Sequence, residues 1–167
     1  MSGPLRRAAA AVRQAARRRA EGPAHQASLP SALTAQRVAD DLARRGYRFR
    51  TDDDGDITGT WDGNRFWFLL LGEDAEILQV RGRWSGAVPE QARTAVLQAC
   101  NDWNRERLWP KVYTRVEDGA MALYGEVSVD LEHGVTDDQI AETLSCGLVT
   151  TSQFFASLAS LGDTSPS

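Results

Sequence analysis

The sequence predicts an α+β domain in which an antiparallel sheet of about six strands carries helices on one face. Two observations lead to this fold class. Strand-sized segments rich in β-branched and aromatic residues follow one another between 47 and 84, separated by Asp-Gly pairs and other short turns. Segments with the periodicity of amphipathic helices lie before, between and after the strands. The predicted element order is α-β-β-β-β-α-β-β-α.

Length and composition limit the class of protein. The chain has 167 residues, of which 42% are hydrophobic and 25% are charged, as in an ordinary soluble domain. Its longest apolar run, 66–71, is far shorter than the roughly 18 residues that a membrane-spanning helix needs. Because no secretory segment opens the sequence, we expect a cytoplasmic protein.

The first 30 residues differ from the rest in charge. They hold six arginines and one acidic residue, Glu21, whereas the remainder holds 13 basic and 22 acidic residues. Three interpretations are open for 1–30: a basic Ala/Arg-rich tail that is disordered or forms a loose helix, a basic arm that contacts nucleic acid or an acidic surface, or a wrongly assigned start codon. We expect the folded domain at 31–162 and a short tail at 163–167.

The first helix is expected from about Thr34 to Arg45. Thr34 is a suitable N-cap, and Leu33 and Val38 have the spacing of a hydrophobic staple. Gly46 follows the last turn, where a left-handed glycine commonly ends a helix.

Four strands are expected between Tyr47 and Trp84, with turns at Asp54-Gly55, Asp62-Gly63 and 72–74. In the last of these strands apolar and polar residues alternate, which predicts one solvated face. Gly82 lies in line with the apolar residues, so we expect a neighbouring element to pack closely against it.

A second helix and a hairpin follow. Pro89 suits the first turn of a helix, and Pro110 limits that helix to about 107–109. The hairpin turns at Asp118-Gly119. Its second strand, 121–131, has the cleanest alternation of period two in the chain, which predicts one face toward the helices and the other toward water or a partner.

The last helix has the clearest start signal in the chain. Thr136 is a suitable N-cap, and Gln139 completes a capping box. The apolar stripe continues to Leu161. Gly147 and the Thr/Ser run at 150–152 are weak helix formers, so we expect a kink or break there.

No metal, cofactor or catalytic site is predicted. The aspartates of the 52–56 turn have the spacing of the first calcium ligands of an EF-hand, but Ile57 and Gly63 occupy the positions that require glycine and glutamate. The two cysteines and two histidines are too few and too scattered for zinc. We interpret Cys100 and Cys146 as small apolar residues. Neither a nucleophile motif nor a phosphate-binding glycine loop is present.

The outer face of the predicted sheet is the first candidate site. It collects arginine and tyrosine, residue types that are enriched at protein interfaces. The alternative is a solvated face whose charges pair across strands. The candidate protein-binding residues are Arg81, Arg83, Tyr113, Arg115, Tyr124 and Glu126.

The second candidate site lies on the second helix. Asn101 and Asn104 are three residues apart and share a helix face beside Trp103. Asparagine is a poor residue inside a helix, because its amide competes with the backbone for hydrogen bonds. Two roles are open for these three residues: structural bonds to strand-edge or loop backbone, or binding of a small ligand.

Several motifs taken together are similar to those of a known family. They are Gly46-Tyr47-x-Phe49, Asp54-Gly55-Asp56, Asn101-x-x-Asn104, and the run from Glu126 through Asp130 to Gly134-Val135-Thr136-Asp137-Asp138-Gln139. In this order and spacing they resemble the YbjN-domain family, bacterial proteins labelled as sensory transduction regulators. The resemblance covers about 32–161.

The resemblance implies a helix–meander–helix–hairpin–helix domain with a fold like that of type III secretion chaperones. It implies a non-enzymatic protein-interaction module, either chaperone-like or a regulatory adaptor, which forms a homodimer and binds a protein partner of unknown identity. It carries over no catalytic residue and no cofactor. The alternative function is a small-molecule sensor with a pocket beside Asn101 and Asn104. Nucleic acid is expected to bind, if at all, only through the basic tail.

Overall fold

The computed structural model describes residues 29–162, with side chains to residue 158. Within this range it confirms the predicted fold class and element order. The helices are α1 (Ala35–Arg44), α2 (Arg93–Glu106) and α3 (Asp137–Gly162). The strands are β1 (Phe49–Thr51), β2 (Ile57–Trp61), β3 (Asn64–Leu71), β4 (Ile77–Arg83), β5 (Lys111–Glu117) and β6 (Ala120–Asp130). The hypotheses on the basic tail and on 163–167 concern residues outside the described range.

The strands form one antiparallel sheet in the order β1-β2-β3-β4-β6-β5. The first four strands are neighbours in sequence and in space. α2 then carries the chain past the sheet, and the β5–β6 hairpin returns so that β6, not β5, pairs with β4. β6 therefore has a partner on each side, and β1 and β5 are the edge strands.

Local turn and capping signals appear in the structure as the sequence predicts. Asp62-Gly63 and Asp118-Gly119 both adopt positive φ at both positions, the geometry of a tight hairpin with the right-handed twist of the strands. Thr34 Oγ1 accepts a hydrogen bond from the Arg37 backbone N–H at 3.3 Å. At the start of α3 the capping box is reciprocal, because the Gln139 N–H donates to Thr136 Oγ1 and the Thr136 N–H donates to Gln139 Oε1.

The core lies between the helices and one face of the sheet, called here the inner face. Phe66, Phe68, Leu78, Val80 and Leu123 extend from this face and are almost fully buried. They meet the apolar side of α3, formed by Leu144, Leu148, Phe154, Phe155 and Leu158. α1 is held on α3 through Arg45, which donates to Ser145 Oγ and to the Ala141 carbonyl at 2.7 Å each.

α3 is continuous from Asp137 to Gly162, so the helix does not break at 147–152, and a kink there stays a prediction. A Cβ atom on Gly147 would lie 2.4 Å from Val80 Cβ, so the glycine lets the helix backbone approach the sheet. One turn later, Thr151 Cγ2 lies 2.8 and 2.9 Å from the points that Cβ atoms on Gly82 and Gly125 would occupy. The small residues serve close packing, and this contact outweighs their weak helix propensity.

The expected close approach to Gly82 is confirmed by the same contact and by the Phe66 ring, 2.7 Å from that Cβ position. Cys100 and Cys146 are both free thiols, and burial raises their pKa, in the case of Cys100 to about 11. None of the helices within residues 29–162 is long and apolar enough to cross a membrane.

Candidate functional site

Strand register brings the predicted arginine and tyrosine residues together on the outer face, opposite α3. One row across the sheet runs through Thr60, Arg65, Arg83, Tyr124 and Tyr113. The next row runs through Thr58, Trp67, Arg81, Glu126 and Lys111. Arg115 lies beyond Tyr113 on β5, opposite Ala122. All six predicted protein-binding residues therefore share one continuous surface.

We call this surface the outer-face patch and define it by its charged and aromatic side chains. They are Arg65, Trp67, Arg81, Arg83, Lys111, Tyr113, Arg115, Glu117, Tyr124 and Glu126.

Glu126 is the first anionic centre of the patch and is 9% exposed. It accepts from Lys111 Nζ at 3.1 Å, from the Tyr113 hydroxyl at 2.9 Å and from Arg81 Nε at 3.4 Å. Burial pushes its pKa up, but the bonds from Lys111 and Tyr113 and the charge of Arg81 outweigh burial and lower it below the ordinary value. The pKa of Tyr113 rises to about 12, because the ring is half-buried and its hydroxyl donates to this carboxylate.

Glu117 is the second anionic centre. It accepts from the Tyr124 hydroxyl and from Arg83 Nε at 3.0 Å. The Tyr124 bond, followed by Arg83, lowers the pKa of Glu117. The pKa of Tyr124 rises through burial and through the same bond. Both carboxylates are thus ionised acceptors at neutral pH, and both tyrosines are hydrogen-bond donors.

Aromatic stacking orders the rest of the patch. The Tyr113 and Tyr124 rings lie 5.5 Å apart and are nearly parallel at 12°. The Arg115 guanidinium is 5.9 and 5.7 Å from their centroids, and the Arg65 guanidinium is 4.6 Å from the Trp67 ring. These cation–π contacts hold the two arginines at the surface without neutralising them.

The middle of β6 differs from the expected solvated face. Ala122, Tyr124 and Glu126 are buried, although they point away from the helices. The long side chains of β4 and β5 cover them from both sides, because β6 is central and not an edge strand.

The second candidate site separates into three environments. Asn104 accepts from the Val112 backbone N–H and donates to the Val112 carbonyl, each at 2.9 Å. Its amide thereby pairs with the edge of β5 as a neighbouring strand would. Trp103 is buried between the Phe154 ring at 5.1 Å and the Arg107 guanidinium at 4.0 Å. Asn101 is exposed.

The described part of the chain has two surface clefts, and the second includes Lys111 and Glu126 of the outer-face patch in its lining. One, of about 440 Å³, lies between α3 and the β2–β3 hairpin and includes Tyr47, Trp61 and Val149 in its lining. The other, of about 360 Å³, borders the outer-face patch near Trp109 and Lys111. Within the described residues, no group of three or more His, Cys, Asp or Glu side chains is arranged to hold a metal ion.

Sequence reasoning missed four members of the patch: Arg65, Trp67, Lys111 and Glu117. Arg65 and Trp67 lie on β3, whose run from 66 to 71 is apolar on both faces and hides the alternation that would separate inner from outer positions. Lys111 and Glu117 lie at the two ends of β5, and only the register of β5 against β6 shows which carboxylate or cation each one meets.

Comparisons with known proteins agree with this fold. A sequence model of the family described as "YbjN: Putative bacterial sensory transduction regulator" matches residues 34–160. Among solved structures, the chain is similar to the crystal structure of YbjN, a putative transcription regulator from E. coli, with a TM-score of 0.68 and 15% sequence identity. The similarity covers 79% of this chain and 96% of that chain, and at this identity it shows the fold alone. A search of curated proteins finds no match.

Proposed function

The chain belongs to the YbjN family, and from that premise we propose that it is a non-enzymatic regulatory module that binds a protein partner through the outer-face patch. The family description supports a regulatory role at a coarse level. The surface and the kind of partner are our own proposal.

One observation carries the proposal. The patch places three arginines, a lysine and two tyrosines of β4, β5 and β6 on the sheet face that lies opposite the described helices. Arginine and tyrosine dominate the energetics of many protein interfaces, because both bury a large area and keep a polar end for hydrogen bonding. Ordered side chains also lose little conformational entropy on binding, and the patch is already ordered by its two carboxylates.

We include three finer statements in the proposal. The module acts in a chaperone-like manner or as an adaptor, it works as a homodimer, and it is cytoplasmic. The first two rest on the resemblance to the YbjN family and its chaperone-like fold, and the third is carried over as the expectation drawn from the sequence.

Native mass spectrometry of the protein purified from its own host tests the proposal. We expect a stoichiometric protein partner, on a monomer or a homodimer of this chain. Changing Arg81→Ala and Arg115→Ala should reduce the bound fraction while circular dichroism shows that the fold is intact. Arg105→Ala is the matched control, because Arg105 is an exposed arginine on α2 that pairs with Asp102 and Glu106.

Three results would contradict the proposal. The protein could carry no partner, it could carry a small molecule in place of a protein, or its partner could remain bound in both patch variants. A bound small molecule would support the sensor alternative.

A further inference from the structure

The outer-face patch is cationic in an acidic domain. It holds five cations, Arg65, Arg81, Arg83, Lys111 and Arg115, against the two carboxylates of Glu117 and Glu126. Its formal charge is therefore +3. Residues 29–162 as a whole carry 13 basic and 21 acidic side chains, a net charge of −8. The excess of positive charge is local and is not a consequence of composition.

Two of the cations form no salt bridge in the described part of the chain, although the charge of Arg115 acts on Glu117. Glu126 pairs with Arg81 and Lys111, and Glu117 pairs with Arg83. Within residues 29–162, Arg65 and Arg115 form cation–π contacts but no ion pair.

Arg65 also lies directly opposite Arg83 in the register of β3 and β4. Like charges at directly opposed positions destabilise a sheet, so this arrangement costs stability in the free protein. An anion bound between the Arg65 and Arg83 guanidinium groups would turn this unfavourable contribution to stability into a favourable one.

A second copy of this chain does not fit the patch. In a two-fold symmetric dimer the same surface meets itself, which would place +3 against +3. A head-to-tail contact with an acidic surface of another copy would build a ring or, where the rotation does not close, a filament, and neither is the homodimer of the proposed function.

A nucleic acid strand also fits poorly. Stacking of bases needs free aromatic faces, whereas Tyr113 and Tyr124 stack on each other and Arg65 covers Trp67. The Asp52–Asp56 turn borders the patch closely enough for the charge of Arg81 to act on Asp56, so a long polyanion would meet carboxylates there. A short anionic segment avoids that edge.

We propose that the outer-face patch docks an acidic segment of a partner polypeptide, with Arg65 and Arg115 as the cations that its carboxylates neutralise. This inference rests on the proposed function and specifies the chemistry of the partner. The segment pairs with a surface whose cations are already oriented, and its affinity falls with ionic strength because the pairing is exposed to solvent.

The first test uses fluorescence anisotropy of a labelled oligo-glutamate peptide with the full chain. Arg65→Gln and Arg115→Gln keep most of the side-chain stem and should each weaken binding by about twofold to fivefold. Glu117→Gln removes a carboxylate that competes with the peptide for the cations, so it should strengthen binding. Misfolding would weaken binding and cannot produce this result. Arg105→Gln is the matched control and should have no effect. The arginines of the basic tail are present in every variant and add a constant background.

Two outcomes of this test would overturn the inference. One is equal affinity of the wild type and the Arg65→Gln/Arg115→Gln double variant for oligo-glutamate. The other is a larger loss in the double variant for an oligothymidylate of equal charge, which would assign the patch to nucleic acid.

Photo-crosslinking in host cells separates failure of this inference from failure of the proposed function. A benzophenone amino acid at Thr60, an exposed position at the end of the Arg65 row, should capture an acidic segment that mass spectrometry can identify. A captured protein segment that is neutral or basic would overturn the inference and leave the proposed function standing. Absence of any protein partner, both here and in native mass spectrometry, would overturn the proposed function itself.

Discussion

Replacing Asn104 with alanine should destabilise the domain by about 1–2 kcal/mol, because the substitution removes the hydrogen-bond partner of two backbone groups at once. The carboxamide of Asn104 pairs with both the N–H and the C=O of Val112 at 2.9 Å. Val112 is 2% exposed, whereas Asn104 is exposed and both bonds are part-buried, so water replaces them only in part and each group costs about 1 kcal/mol, the low end of the range for a buried group. Each buried group left unpaired costs about 1–3 kcal/mol, and the higher helix propensity of alanine returns up to about 0.7 kcal/mol.

Urea unfolding followed by circular dichroism measures this loss, and Asn101→Ala is its matched control. Asn101 lies one turn earlier on the same helix and is exposed like Asn104, but its side chain forms no hydrogen bond within residues 29–162, so its replacement should leave stability unchanged or raise it slightly. Asn104→Asp keeps an acceptor for the N–H but opposes a carboxylate to the carbonyl, and it should be as damaging as alanine near neutral pH. If Asn104→Ala unfolds within about 0.5 kcal/mol of the wild type, the reasoning about a capped strand edge is refuted.

Three further predictions test the packing and the patch. Thr151→Val should stabilise the protein by about 1 kcal/mol, because Thr151 Oγ1 is buried without a hydrogen-bond partner in the described part of the chain; Thr150→Val, which removes a 2.6 Å bond to a carbonyl, should show no gain in the same urea titration. Gly147→Ala should lower the unfolding free energy by about 2 kcal/mol, because its Cβ would lie 2.4 Å from that of Val80; a stabilised variant would contradict this close contact. Glu126→Gln should destabilise by about 1 kcal/mol near pH 7. The folded-state pKa of Glu126 is lowered, so its ionised carboxylate stabilises the fold above the unfolded pKa of about 4.3, and this stabilisation disappears as pH falls through the folded value. The unfolding midpoints of the wild type and Glu126→Gln should therefore converge below about pH 4. A difference between the midpoints that does not change with pH would show that the charge is unimportant.

The elements of the fold were predictable because their signals are local. Asp62-Gly63 adopts a hairpin turn through its own backbone preferences, and Thr136 and Gln139 cap a helix through residues three positions apart. Such interactions involve residues that are only a few positions apart in the sequence. They are present whatever the rest of the chain does.

The continuous last helix was not predictable from the same kind of signal. Glycine has a low helix propensity, so the sequence around Gly147 predicts only a weakened helix. The structure places Val80 against it, and Val80 is far away in the chain. The benefit of close packing on the sheet is a property of the contact and cannot be assigned to either residue alone.

Part of the candidate site was likewise predictable from local signals, and part of it was not. Alternation along β4 and β6 was enough to assign Arg81, Arg83, Tyr124 and Glu126 to one face. It was not enough to show that Tyr124 and Glu126 are buried there, because their cover comes from strands on both sides.

By itself, the sequence determined the type and order of the elements, their caps and turns, and the faces of the strands that alternate clearly. Only the tertiary structure decided that β6 lies between β4 and β5, that Asn104 caps the edge of β5, and that Arg65 stands opposite Arg83. The physical reason is the range of the interactions. Backbone preferences and capping bonds act over a few residues, whereas strand order, register and burial depend on contacts between segments that the chain brings together only when it folds.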